Sequence, residues 1–106
     1  MNAQFKRGII ELLVLKTVKD QEKSAFEVIE TIGASIDVNE NTIYPILRRL
    51  TTQGYFEVKK EASAIGAPRK VYSVTSKGKE KLETFLEEWE SFLAQVLKIL
   101  GGQHVK

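Results

Sequence analysis

Residues 41–55 read NTIYPILRRLTTQGY, and this stretch decides the fold. Ile43, Leu47 and Leu50 recur at i, i+4 and i+7, which is the spacing of a single helix face. Gly54 follows the last apolar residue and is suited to ending a helix. The pattern therefore predicts an amphipathic helix that buries its aliphatic face.

The opposite face of this helix is polar and carries no acid. It offers amide, hydroxyl, phenol and guanidinium groups from Asn41, Thr42, Tyr44, Pro45, Arg48, Arg49 and Thr52. In DNA-binding proteins Arg binds guanine edges and Asn binds adenine edges in the major groove. Most surface helices mix acids with bases, so this face favours a DNA-reading helix over an ordinary solvated one.

Two helices are predicted before this one. Phe5 to Lys19 carries a wide apolar stripe at helical spacing. Ser24 and Glu27 have the spacing of a capping box and predict the start of a second helix. The apolar face of that second helix is predicted to hold Phe26, Ile29 and Ile32.

Two strands are predicted after the third helix, the one that contains Ile43, Leu47 and Leu50. They run from Tyr55 to Glu61 and from Arg69 to Thr75, and a loop over 62–68 joins them. Lys59, Lys60, Arg69 and Lys70 bring cations to the loop end of this hairpin. Three helices, a hairpin and a further helix form the winged-helix arrangement, a mostly α fold with a small β component. The predicted division is a DNA-binding unit over 1–75, a helix over 76–101 and a tail over 102–106.

The charge distribution agrees with a polyanionic partner. The net charge is +2, but residues 39–81 carry nine Lys or Arg against four Asp or Glu, and both flanking segments are acidic. A basic patch of this kind suits DNA. A charged face that only meets solvent is the alternative that this excess leaves open.

The composition argues against catalysis and metal binding. The chain has no Cys and a single His, His104, near its C-terminus. Thiolate sites, disulfides and His-based triads need residues that are missing here. We therefore expect no enzyme activity, metal or cofactor. No apolar run is long enough to cross a membrane and the N-terminus lacks a signal-peptide core, so a cytoplasmic location is expected.

The last helix is predicted to run from Ser76 to about Leu100 and to carry a long apolar seam. One small domain cannot cover such a stripe, so the seam predicts a homodimer, whose two reading helices would lie about 34 Å apart on a pseudo-palindromic site. Trp89, in mid-seam, is either a packing anchor or one wall of a cavity for a planar aromatic effector. The seam consists of Leu82, Phe85, Leu86, Trp89, Phe92, Leu93, Val96, Leu97 and Leu100.

Two stretches together resemble the PadR family of bacterial transcriptional regulators. The first, residues 42–54, fits T-[LI]-Y-P-x-L-x-R-L-x-x-x-G, and the second, residues 69–78, fits R-[RK]-x-Y-x-[LV]-T-x-x-G. The resemblance implies a winged helix that binds double-stranded DNA, usually as a repressor, and a dimer made by the last and first helices. Short members of the family can bind aromatic compounds at the dimer interface. The chain departs from the family at Ser24-Ala25-Phe26, where H-G-Y is usual, and at Ala67-Pro68.

A winged helix can also lose DNA binding and serve as a protein-interaction module. Acids on the third helix or a neutral wing would favour that alternative, and the sequence has neither.

Overall fold

A computed structural model of the chain describes residues 3–62 and 66–101, with side chains from residue 8 onward. The described part has four helices and one antiparallel hairpin in the order expected of a winged helix. The mostly α fold class is confirmed. The elements are α1 (Ala3–Asp20), α2 (Ala25–Gly33), α3 (Glu40–Thr52), β1 (Phe56–Glu61), β2 (Arg69–Val74) and α4 (Ser76–Ile99).

The core lies where α1, α2 and α3 meet, and the base of the wing and the start of α4 close it. Its centre is aliphatic, with Leu15, Ile43 and Leu47 fully buried. Phe56 of β1 and Leu82 of α4 extend this same cluster. Large side chains of this kind contribute about 1.5–3 kcal/mol each on burial, so the three-helix unit and the wing base fold as one body.

The start of α2 is fixed by the predicted capping box. The Ser24 N–H donates to Glu27 Oε1 at 2.8 Å, and the Glu27 N–H donates to Ser24 Oγ at 3.3 Å. The predicted inward face was wrong at Phe26, whose side chain is 65% exposed. Val28 and Ile32 are buried instead, and Phe26 lies two residues before Val28, on the opposite side of the helix.

Both ends of α3 are closed by local hydrogen bonds. Asn39 is the N-cap and accepts from the Asn41 N–H. At the other end Gly54 has a left-handed backbone (φ 85°), and the Tyr55 N–H donates to the Leu50 carbonyl, which makes a Schellman motif. The helix continues through Pro45 without a break.

The wing is a two-stranded antiparallel sheet in the register Phe56 opposite Val74 through Glu61 opposite Arg69. A short bridge pairs Lys23 with Tyr72 through two backbone hydrogen bonds. Because Lys23 lies directly before α2, this bridge holds the first residues of α2 against the wing.

The start of α4 is built into the end of α3. Thr75 caps α4, and its hydroxyl donates to the Gly54 carbonyl at 2.7 Å. Gly78 is buried against the Tyr55 carbonyl, and Lys77 Nζ donates to the Gln53 carbonyl at 2.8 Å. The first residues of α4 therefore contact the backbone carbonyls at the end of α3 directly, although the hairpin separates the two helices along the chain.

The predicted seam of α4 divides into two parts. Leu82 is buried within the chain's own core, so its assignment to a dimer interface was wrong. Phe85, Leu86 and Trp89 are half-buried against that core. Further along, Phe92, Leu93 and Leu100 are exposed, while Val96 and Leu97 are half-buried. The part of the seam still available to a partner is therefore the half beyond Trp89.

Within the described residues, no helix is both long and apolar enough to cross a membrane. Two predictions fall outside those residues: part of the wing loop, over 63–65, and the tail over 102–106 that includes His104.

Candidate nucleic-acid interface

An open groove of about 790 Å³ runs between α3, the start of α2 and the wing. Each of these elements supplies one wall, and the bridge between Lys23 and Tyr72 keeps the walls together. The lining combines cations, hydroxyls and apolar groups. It consists of Ser24, Ala25, Phe26, Tyr44, Arg48, Thr51, Thr52, Val58, Pro68, Arg69, Lys70 and Tyr72.

The outward stripe of α3 lies along one side of this groove. Asn41, Tyr44, Pro45, Arg48 and Thr52 are exposed, and Thr42 is half-buried. Arg48 forms no ion pair with any residue in the described ranges, so its five N–H donors are available to a ligand. The face that the helical wheel placed outward is therefore presented to solvent beside the wing.

Arg49 is placed differently from its neighbour. Its guanidinium pairs with the Glu11 carboxylate of α1, on the flank of α3 that faces the helical core. Successive residues on a helix point about 100° apart, so Arg48 and Arg49 face different surroundings. The sequence pattern predicts that Arg49 contacts DNA, but its guanidinium is already held by Glu11, so we do not expect Arg49 to read bases.

Acids hold two of the four predicted wing cations. Arg69 lies 3.0 Å from Glu27 and 3.8 Å from Glu61, and Lys59 lies 3.1 Å from Glu22. Lys70 forms no ion pair with a residue of the described chain. The free cations beside the groove are therefore Lys70 and Arg48, and Arg69 is available once its acids are displaced.

Tyr72, which lines the groove, and Glu27, which lies beside it, have shifted pKa values. The hydrogen bond from the Ser24 backbone lowers the pKa of Glu27, and the charge of Arg69 lowers it further. Desolvation raises the pKa of the Tyr72 phenol, and the nearby Tyr44 adds to that rise. At neutral pH Glu27 is therefore a carboxylate and Tyr72 a neutral phenol.

The family model of the PadR-like transcriptional regulators matches residues 14–84, which cover the core, α3, the wing and the start of α4. The chain belongs to this family. Its PadR-like fold is also that of solved structures. A PadR-like regulator from Bacillus cereus is 30% identical, with a TM-score of 0.84 over 95% of this chain and 100% of that one.

Two further solved structures have the same fold. A Streptococcus transcriptional regulator is 27% identical, with a TM-score of 0.85 over 94% of this chain and all of the other. A PadR family regulator from Eggerthella lenta is 26% identical, with a TM-score of 0.83 over 92% of this chain and 87% of that one.

Membership fixes the class of function. The protein is a DNA-binding transcriptional regulator and not an enzyme. In the part of the chain that the structure describes, no group of three or more acidic or His side chains could hold a metal ion.

Two features of this surface differ from what the sequence pattern predicts. Phe26 was assigned to the core because it is apolar and follows a helix start, although its distance from Val28 already placed the two on opposite sides. The acids Glu11, Glu22 and Glu27 lie 37 to 42 residues before the cations that they hold. No local pattern could have paired them.

Proposed function

We propose that this PadR-like protein is a homodimeric, sequence-specific repressor that acts in the cytoplasm. α3 enters the major groove, and Lys70 and Arg69 of the wing contact phosphates at the adjacent minor groove. The observation that carries the proposal is the acid-free stripe of α3, with Asn41 and Arg48 exposed, beside a basic wing. Asn and Arg are the side chains that bind adenine and guanine edges in pairs of hydrogen bonds.

The distal half of α4 supports the homodimer. Phe92, Leu93, Ile99 and Leu100 are exposed on a single chain, and a row of large apolar side chains in water is costly. The same helix of a second copy offers the same surface, which is how two-fold symmetric interfaces form. We therefore assign residues 76–101 to dimerisation, with Leu82 excluded. Two-fold symmetry of the protein implies a pseudo-palindromic operator.

We also propose an effector site for a planar aromatic compound at Trp89. Trp89 is half-buried at the point where the seam leaves the chain's own core. In a dimer, two copies of the indole would lie near each other across the axis, and flat apolar groups stack well on such rings. The effector would release DNA through its higher affinity for one arrangement of the dimer.

Selection of bound sequences from random duplex DNA tests the proposal directly. Arg48→Ala and Asn41→Ala should each cost about 1–3 kcal/mol on the selected site and relax its sequence preference. Arg49→Ala is the matched control, because Arg49 is the next residue along the helix and its own guanidinium is held by Glu11. It should lower the free energy of unfolding and leave the sequence preference unchanged. Equal effects of Arg48→Ala and Arg49→Ala on the preference would refute the assigned face.

The wing is tested by salt dependence. Lys70→Ala should weaken binding to all sequences alike and reduce the slope of log K against log salt by about 0.9 per chain, because one phosphate contact is lost. Lys98→Ala, at the end of α4 and far along the chain from the wing, should leave the slope unchanged.

The effector site is tested through the single Trp of the chain. Titration with planar aromatic cations and neutral dyes should quench the Trp89 emission and weaken operator binding. A panel that leaves the emission unchanged, with Trp89→Leu still dimeric and still bound to DNA, would show that Trp89 serves packing alone.

A further inference from the structure

The groove between α3 and the wing faces a fixed feature of duplex DNA. If α3 lies in the major groove and the wing at the adjacent minor groove, one sugar–phosphate strand passes between them, because a single strand separates the two grooves. The walls of the groove on the protein are those two elements, with the start of α2 between them. If the docking proposed above is correct, the occupant of this groove is therefore a single sugar–phosphate strand.

The lining of the groove has the two chemistries of a sugar–phosphate strand. Arg69 and Lys70 are cations suited to phosphate oxygens. Phe26, Tyr44 and Val58 are all substantially exposed and give the groove an apolar strip. A groove for a small charged ligand would not need that strip, and a protein partner would not need the cations.

Phe26 is the most exposed member of this strip, and no residue of the described chain covers its ring. It is 65% exposed at the start of α2, on the side of the helix opposite the buried Val28. The bridge between Lys23 and Tyr72 fixes the backbone just before α2, and Phe26 lines the groove beside it. Glu27, the next residue, is ionised and already pairs with Arg69, so its own side chain offers nothing to a phosphate.

We propose that Phe26 packs against deoxyribose rings of the strand that passes between α3 and the wing, and so positions the protein on DNA. Deoxyribose is the uncharged, largely apolar part of the DNA backbone, so it is the part that an aromatic ring beside a carboxylate can accept. Phe26 then contributes to affinity for every duplex, without sequence preference and without counterion release.

Phe26→Ala tests this assignment, with Thr31→Ala as the matched control. Thr31 is exposed on the same helix and does not line the groove. Phe26→Ala should weaken binding to the selected operator and to an unrelated duplex by the same factor, about threefold to tenfold. The slope of log K against log salt should stay that of the wild type, because no charge is removed. Thr31→Ala should change none of these values.

Hydroxyl-radical footprinting supplies the direct readout, because the radical attacks deoxyribose. Phe26→Ala should expose a few sugars on one strand between the protected major-groove and minor-groove tracts. Thermal unfolding of the variant in the absence of DNA shows whether it folds, and Phe26→Leu, which keeps an apolar side chain, should restore part of the affinity.

Three outcomes would overturn the assignment. Wild-type affinity in Phe26→Ala would show that the ring does not touch DNA. A changed preference at one base pair would make Phe26 a base reader. Unchanged sugar protection would place the strand elsewhere. If Arg48→Ala still relaxes the sequence preference and Lys70→Ala still reduces the salt slope, the proposed function stands without this role of Phe26. If neither variant shows its expected effect, the docking on which the role of Phe26 depends is wrong.

Discussion

Glu27 has two tasks, as the cap of α2 and as a partner of Arg69. Glu27→Gln separates them, because Gln keeps the capping hydrogen bond and loses the charge. We expect tighter DNA binding and a salt slope steeper by up to about 0.9 per chain, since Arg69 loses its nearer acid and keeps only Glu61, at 3.8 Å, as an acidic partner. Glu30→Gln, an exposed acid on the same helix, is the control for net charge. Equal gains in both variants would deny Glu27 a special role.

The lowered pKa of Glu27 also gives a pH dependence. A carboxyl whose pKa is lower in the folded state stabilises the protein above its unfolded value, near 4.5, and loses that contribution as the pH falls through its folded value. The free energy of unfolding, measured by denaturant titration from pH 6 to pH 3, should therefore fall less steeply with pH for Glu27→Gln than for the wild type.

Gly78 is required by packing rather than by backbone conformation. A Cβ at this position would lie 2.2 Å from the Tyr55 carbonyl and 2.6 Å from a Val74 methyl. Gly78→Ala should lower the free energy of unfolding by about 1–3 kcal/mol, because a backbone atom must move. Gly33→Ala, where nothing lies within 4 Å, should be neutral or slightly stabilising. Denaturant titration measures both, and equal effects would contradict the close approach.

At the scale of elements, α3 tolerates a proline at its sixth residue. Pro45 cannot donate the hydrogen bond that residue 45 would make to the Asn41 carbonyl. Pro45→Ala should raise the free energy of unfolding by about 1–3 kcal/mol in denaturant titrations. Thr52→Ala, on the same face without a backbone defect, should change it by less than about 0.5 kcal/mol. No gain for Pro45→Ala would mean that the helix adapts to the ring at no cost.

The sequence predicted the elements far better than the contacts between them. The 3.6-residue period of Ile43, Leu47 and Leu50 and the capping residues at Ser24 and Asn39 are local signals, and the structure keeps them. Which cation meets which acid depends on how distant segments fold together. For that reason the pairing of Arg49 with Glu11 and the burial of Leu82 were outside the reach of sequence patterns.

At the scale of the whole molecule, substitutions can test the proposed dimer without disturbing the fold. Deleting α4 would also remove Gly78 and Leu82 from the core, so substitution in the distal half is the sharper test. Leu93→Asp should give a folded monomer in sedimentation equilibrium at micromolar concentration, with weaker operator binding. Ser91→Asp, on the opposite side of α4 from the seam, should remain a dimer. A dimeric Leu93→Asp would move the interface away from this seam.

The contacts at the joint between α3 and α4 make the two helices move together as one rigid unit. Thr75, Lys77 and Gly78 all engage backbone carbonyls at the end of α3, so the joint has no slack to absorb a rotation. α4 has 24 residues, and at about 1.5 Å per residue it extends about 36 Å. A tilt of about 5° then shifts one end relative to the other by about 3 Å, close to the rise of one base pair. In the proposed dimer, a ligand that tilts α4 by this amount would therefore move the two α3 helices out of register with successive turns of the DNA.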